Sequence, residues 1–161
     1  MPIKTKKTAI ICILISAVII FVDQLTKHIV RQNLESGEKI HIIGDFANIT
    51  YVRNYGVAFS MFSGNKLVTV FLTSILIIIC LAFLIFELLN QKEGIPIFLS
   101  CIVCGGIGNM IDKIYLGYVT DMISCGSFAV FNVADIAITC GAFCCLFYII
   151  FFETEVFKKK I

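Results

Sequence analysis

The sequence predicts an all-α polytopic membrane protein, with four transmembrane helices and a small extracytoplasmic β-sheet between the first and second. Three observations carry that prediction. Apolar residues make up 59% of the 161 and charged residues only 15%, far from a soluble composition in which about a quarter are charged. The charges avoid four windows, Thr8–Val22, Leu67–Phe86, Ile95–Ile111 and, but for Asp135, Phe128–Phe152, each near the roughly 17–25 residues that cross a bilayer once flanking turns are counted. Backbone in hydrocarbon must satisfy its own hydrogen bonds, so such runs become helices; a barrel needs alternating segments of about ten residues, which these lack. Residues 1–161 are expected to form one integral-membrane domain.

Taken in order, the first span covers about 8–28. A basic start before an apolar stretch is signal-peptide-like, but no small-x-small cleavage pattern follows, and the run leads straight into Asp23 and Lys27, so the segment reads as an uncleaved span. The outer segment 31–66 carries Ile40, Ile42, Phe46, Ile49, Tyr51 and Val52 in a β-prone, partly alternating pattern broken at Gly44-Asp45, which predicts a small sheet at the membrane surface. Asn54-Tyr55-Gly56-Val57-Ala58-Phe59 then reads as a turn into an apolar return. Span two covers 67–88, a short loop Asn90–Gly94 leads to span three at 95–112, and a second outer segment, 113–127, leads to span four at 132–152.

Basic residues orient the chain. Lys4, Lys6, Lys7, Lys92, Lys158, Lys159 and Lys160, seven of the thirteen Lys and Arg, fall in the short segments at one end. Both termini are therefore placed in the cytoplasm. The net charge of +2 reflects these signals, and no patch argues for nucleic acid. Seven of the eight cysteines lie inside spans, leaving only Cys125 outside. Cys101-x-x-Cys104 has no second pair or histidine at ligand spacing, and His28 and His41 stand apart, so thiols acting as small hydrophobes are favoured over disulfides or a metal.

Polar residues at span ends gather on the outer side, with Glu87 the exception. Asp23 and Lys27 are i, i+4 and share a helical face. Asn109 with Asp112, and Asn132 with Asp135, are i, i+3 pairs. Each pair has a plain structural explanation: an interfacial ion pair for the first, a helix N-cap with an acidic third position for the last, and close helix packing for Gly105, Gly106 and Gly108. The concentration on spans three and four is what those explanations leave out. A carboxylate at Asp135, followed by an almost unbroken apolar run to Phe152, costs several kcal/mol unless neutralised or partnered and marks a functional site.

Asp121 lies fourteen positions before it. Two nearby carboxylates share a proton, because both cannot ionise cheaply at close range. One can then take a proton from water while the other polarises a carbonyl or protonates a leaving amine, which is peptide hydrolysis with neither metal nor covalent intermediate. Ser60 and Ser63 lack a suitably placed histidine and acid, and Gly105-Gly106-x-Gly108 lacks the strand and loop of a phosphate cradle. A proton-coupled transporter and a non-catalytic assembly protein are the alternatives. A proton relay should continue across the bilayer, where the inner halves of spans three and four offer little beyond Ser100 and Thr139.

These residues resemble the bacterial lipoprotein signal peptidases, also called signal peptidase II. The resemblance covers nearly the whole chain through Asp23-Gln24-x-Thr26-Lys27, Asn54-x-Gly56-x-Ala58-Phe59, Gly105-Gly106-x-Gly108-Asn109-x-x-Asp112, Val119-x-Asp121 and Phe131-Asn132-x-Ala134-Asp135. It implies an aspartyl endopeptidase of the bacterial cytoplasmic membrane, active near the outer face. Such an enzyme cuts diacylglyceryl-modified prolipoproteins on the amino side of the lipidated cysteine. Asp121 and Asp135 would be the catalytic pair. Asn54, Gly56, Gly108, Asn109, Asp112, Lys113, Asn132 and Ala134 would position substrate or support the pair, with Asp23 and Lys27 stabilising the site. The resemblance also implies a β-cradle on the membrane, no cofactor, membrane lipids as partners and inhibition by globomycin-type lipopeptides; a monomer is expected. Two departures stand out: Lys113 replaces the usual Arg, keeping charge but losing the bidentate fork, and Ile136 replaces a common Ser. The connection from Asp121 to Asp135 is short, which narrows what the site mouth admits.

Overall fold

The computed structural model of the protein describes residues 2–56 and 65–153. Val57, Ala58, Phe59, Ser60, Ser63 and the basic tail Lys158–Lys160 lie outside the described residues. The chain builds helix α1 (Ile3–Asn33), strands β1 (Lys39–Ile43) and β2 (Ala47–Asn54), and helices α2 (Lys66–Leu89) and α3 (Gly94–Tyr115). Strand β3 (Val119–Cys125) and helix α4 (Val133–Tyr148) follow, and α4 runs on as a π-helical turn, Ile149–Glu153.

Four helices are long and apolar enough to cross a membrane. Their outward faces are apolar, with Ile13, Leu14 and Phe21 on α1 and Leu76, Ile78 and Ile79 on α2 all exposed. A contiguous surface of that kind belongs in lipid. α1 is longer than the expected 8–28 span. Its 31 residues extend about 46 Å at 1.5 Å each, against a hydrocarbon core of about 30 Å. Charge excludes a segment from hydrocarbon without ending a helix, so Lys4, Lys6, Lys7 and Arg31 are all helical.

α3 is the central helix: half of its apolar window is buried, against 11–17% for the other three. Glycine makes this possible. A Cβ added at Gly105 would sit 2.5 Å from the Ala134 carbonyl oxygen, so only a residue without one lets α3 and α4 touch there. Leu84, Ile95, Leu99 and Cys145 pack together at the end of the bundle away from the sheet. Val30, Leu34, Tyr51 and Met122 pack under the sheet and fix it to α1.

The sheet is antiparallel in the order β1-β2-β3. The turn at Gly44 (φ 51°) joins β1 to β2, and Phe46 lies in that turn rather than in a strand. The third strand corrects the expectation that the sheet belongs wholly to the segment between the first two spans. β3 comes from the segment between α3 and α4, expected as a loop, and pairs Asn54 with Val119, Val52 with Asp121 and Ile49 with Ile123. The register shifts between Ile49 and Val52, an irregularity of the kind that re-aims side chains beside active sites.

Candidate active site

Two short devices bring Asp121 and Asp135 together. The first is a fold-back after β3: Gly126 takes φ 54°, and Phe131 exchanges backbone hydrogen bonds with Ile123, Phe131 N donating at 3.0 Å and Ile123 N at 2.8 Å. The second is the start of α4. Asn132 is its N-cap, its Oδ1 accepting from the Asp135 amide at 2.9 Å, while Asp135 Oδ2 accepts from the Asn132 amide at 3.2 Å. This is a capping box. The capping role does not use up Asn132, because its side-chain amide is still free to reach out. Its Nδ2 donates to Asp121 Oδ1 at 2.8 Å and to Asn109 Oδ1 at 3.1 Å.

Each carboxylate has a second asparagine. Asn54 Nδ2 donates to Asp121 Oδ2 at 3.0 Å, and Asn109 Nδ2 donates to Asp135 Oδ1 at 2.8 Å. Gly56 supports the first contact, its amide donating to Asn54 Oδ1 at 3.0 Å and so orienting the Asn54 side chain.

Behind the pair lies a buried charge network. Asp23 and Lys27 are both 0% exposed and 2.8 Å apart, and Lys27 Nζ is 3.7 Å from Asp112 Oδ2. The pair is thus sunk within the bundle, since α1 packs this face against α3 and α4. Asp23 Oδ1 accepts from the Ala134 amide at 2.9 Å, and Asp112 Oδ2 accepts from the Thr120 amide at 2.9 Å. Ala134 precedes Asp135 and Thr120 precedes Asp121. The amide before each aspartate is thus held by a buried carboxylate, and Lys27 joins the two carboxylates. Lys27 Nζ also donates to Asn109 Oδ1 at 3.0 Å. Gly108 makes room, because a Cβ there would come within 2.7 Å of Asp23 Oδ2.

Three contributors escaped the sequence analysis. Arg31 Nη1 donates to Thr120 Oγ1 at 3.0 Å and lies 3.5 Å from Asp112 Oδ1. The i, i+4 spacing of Asp23 and Lys27 continues to Arg31, a signal that could have found it. Thr120 carried none, since its role depends on pairing with distant segments. Thr73 receives Lys113 Nζ at 3.0 Å and is one of few hydroxyls in a largely apolar α2.

Asp121 and Asp135 line one cavity of about 990 Å³, together with Asn54, Asn109 and Lys113; Leu76, Phe131 and Ile136 are among its apolar walls. Burial pushes the Asp121 carboxyl up to about 6, with the Asp135 charge adding to the rise and the Asn54 and Asn132 amides opposing it. An acid in this range is available to hold or release a proton near neutrality. Among the described residues, no three His, Cys, Asp or Glu side chains are grouped to hold a metal ion.

The signal peptidase (SPase) II family matches residues 15–151 of the chain. The lipoprotein signal peptidase of Enterococcus faecalis is 33% identical over 155 residues, 94% of each chain. That of Fusobacterium nucleatum is 35% identical over 160 residues, 95% of this chain and 92% of the other. A bacterial membrane enzyme solved by the in meso method at 2.3 Å superposes with a TM-score of 0.77 at 29% identity, over 86% of this chain and 87% of that one. The chain belongs to the signal peptidase II family.

Proposed function

With membership of that family as the premise, we propose that the protein is an aspartyl endopeptidase that removes the signal peptide from diacylglyceryl-modified prolipoproteins, cutting on the amino side of the lipidated cysteine. One observation carries the reading: Asp121 and Asp135 face a shared cavity and are both held by Asn132. The ionised aspartate takes a proton from a water molecule as its oxygen attacks the scissile carbonyl carbon. The protonated aspartate donates to the carbonyl oxygen, and a proton then passes to the leaving amine as the C–N bond breaks. The pair titrates as a unit, so the proton belongs to both. Asn54, Asn109 and Asn132 hold the two carboxylates in place, Gly56 orients Asn54, and Gly108, Asp112 and Ala134, with Asp23 and Lys27, fix the backbone that carries them. Lys113 faces the substrate.

The setting suits such a substrate. The sheet and the polar network occupy the same end of the bundle, which we place at the outer face of the bacterial cytoplasmic membrane, with both chain ends cytoplasmic. A diacylglyceryl group holds the scissile bond near that surface, and the signal peptide's apolar segment lies along the helices. A soluble protease would have to extract both at about 0.8 kcal/mol per CH₂. The cavity's apolar walls also suit cyclic lipopeptides of the globomycin type as inhibitors.

Purified protein incubated with a lipid-modified prolipoprotein tests this, with products identified by mass. Cleavage before the lipidated cysteine is expected. Asp121→Asn and Asp135→Asn should each lower the rate by about 10²–10⁴-fold while the protein stays folded in the membrane. Unimpaired cleavage by either variant discards the pair; proton flux without cleavage would favour a transporter.

A further inference from the structure

Lys113 is the cation on the cavity wall that is sunk within the bundle, only 5% exposed, whereas Arg53 on the same wall is exposed. Among the described residues no carboxylate pairs with it, unlike Lys27 and Arg31. Its Nζ donates to Thr73 Oγ1 at 3.0 Å, and Thr73 Oγ1 lies 2.8 Å from the Thr69 carbonyl oxygen. These two distances fix the hydroxyl. An ammonium has no lone pair, so the single Thr73 proton goes to the Thr69 carbonyl and the oxygen's lone pair faces Lys113. Two N–H bonds of the ammonium then remain to be filled. A buried donor left unfilled is costly, and the cavity is where an acceptor arrives.

We propose that Thr73 is a positioning residue, turning the Lys113 ammonium so that its free N–H bonds meet a backbone carbonyl oxygen of the substrate peptide beside the scissile bond. The inference deepens the peptidase reading and rests on it. A neutral acceptor fits because Asp121 and Asp135 already line the cavity and disfavour an anion. The need for Thr73 follows from Lys113 being a lysine. A guanidinium carries its own planar fork, whereas an ammonium is a point charge on a flexible stem and is aimed only by what it bonds to.

The test is a cycle of variants assayed for kcat and KM on a lipid-modified prolipoprotein, with thermal unfolding in detergent to verify folding. Thr73→Val, which keeps the shape and removes the acceptor, should raise KM about tenfold with kcat within about threefold of the wild type, and Thr73→Ser should restore KM to within about twofold. In a Lys113→Arg background, Thr73→Val should change KM by less than about twofold, because the arginine does not depend on the hydroxyl. If Thr73→Val does not fold, Thr73→Ala takes its place in both backgrounds. An unchanged KM, or an equal rise in both backgrounds, overturns the assignment and leaves the peptidase intact. A wild-type protein that does not cleave overturns the peptidase reading, and this inference with it.

Discussion

The two ends of the helical bundle carry ion pairs of opposite character. At the sheet end, Asp23, Lys27 and Asp112 are 0–1% exposed. At the other end, Lys92 and Glu153 pair with side chains 40% and 25% exposed, and Lys4 and Glu93 are 3.8 Å apart and well exposed. Burying charge is expensive, and a buried pair is often no more stabilising than apolar residues of the same shape. The sheet-end charges bring something an apolar core lacks: acceptors for the amides of Thr120 and Ala134. The difference teaches that ion pairs go inward here where they set the spacing of two backbones, and stay near water where they tie helix ends together.

The comparison can be broken hardest at Lys27. Lys27→Met leaves two buried carboxylates without their shared cation, which should cost about 3–5 kcal/mol. Loss of folded protein in membranes and of all measurable cleavage is expected; a folded, active variant would show that the network is not what sets the spacing.

Acidity gives the next effect. Asp121 is raised to about 6 in the folded protein, above its unfolded value. Its contribution to stability is therefore fully present below about pH 4 and lost as the pH rises through about 6. On the proposed mechanism the same ionisation removes the proton the pair shares, so kcat/KM should decline by up to about tenfold per pH unit on the alkaline side of about 6. Asn54 holds that carboxyl down, so in Asn54→Ala the alkaline limb should move to higher pH, as a full pH–rate profile would reveal.

Gly108→Ala sharpens the picture at smaller scale. Its Cβ would press on Asp23 Oδ2 at 2.7 Å, an overpacking expected to cost about 1–3 kcal/mol and to slow cleavage about tenfold. Unfolding and cleavage measured together should fall in parallel. Smallest is the opposite end, where Glu153→Gln should change stability by less than about 1 kcal/mol and leave the cleavage rate at the wild-type level. A large loss there would erase the contrast between the ends.

The sequence showed the spans because hydrocarbon imposes a long, nearly charge-free run that composition alone reveals. It also drew attention to Asp135, Asn109 and Asn132, polar residues beside such a run, and to Asp121 a short loop away, whereas Asn54 came only through the family resemblance. It hid what depends on pairing between distant segments. Val119–Cys125 has a strand's length, but its partner β2 lies across two helices in the chain, so nothing local marks it as the sheet's third strand. The burial of Asp23 and Lys27 was hidden likewise: their spacing puts them on one face of α1 without saying whether that face meets lipid, water or α3. Thr73 was overlooked because a hydroxyl in a transmembrane helix so often bonds its own backbone, as Thr73 and Ser74 both do.

Asn132 closes one route of evolutionary drift. Aspartate or serine would cap α4 as well as asparagine does, so helix stability alone would let the position wander among the three. Neither substitute carries the amide N–H that Asp121 receives, and aspartate would add a third negative charge beside the pair. On the proposed mechanism, a lineage that kept the helix and exchanged the cap would keep a folded membrane protein and forfeit its chemistry, which makes this position a telling place to look for relatives that have abandoned proteolysis.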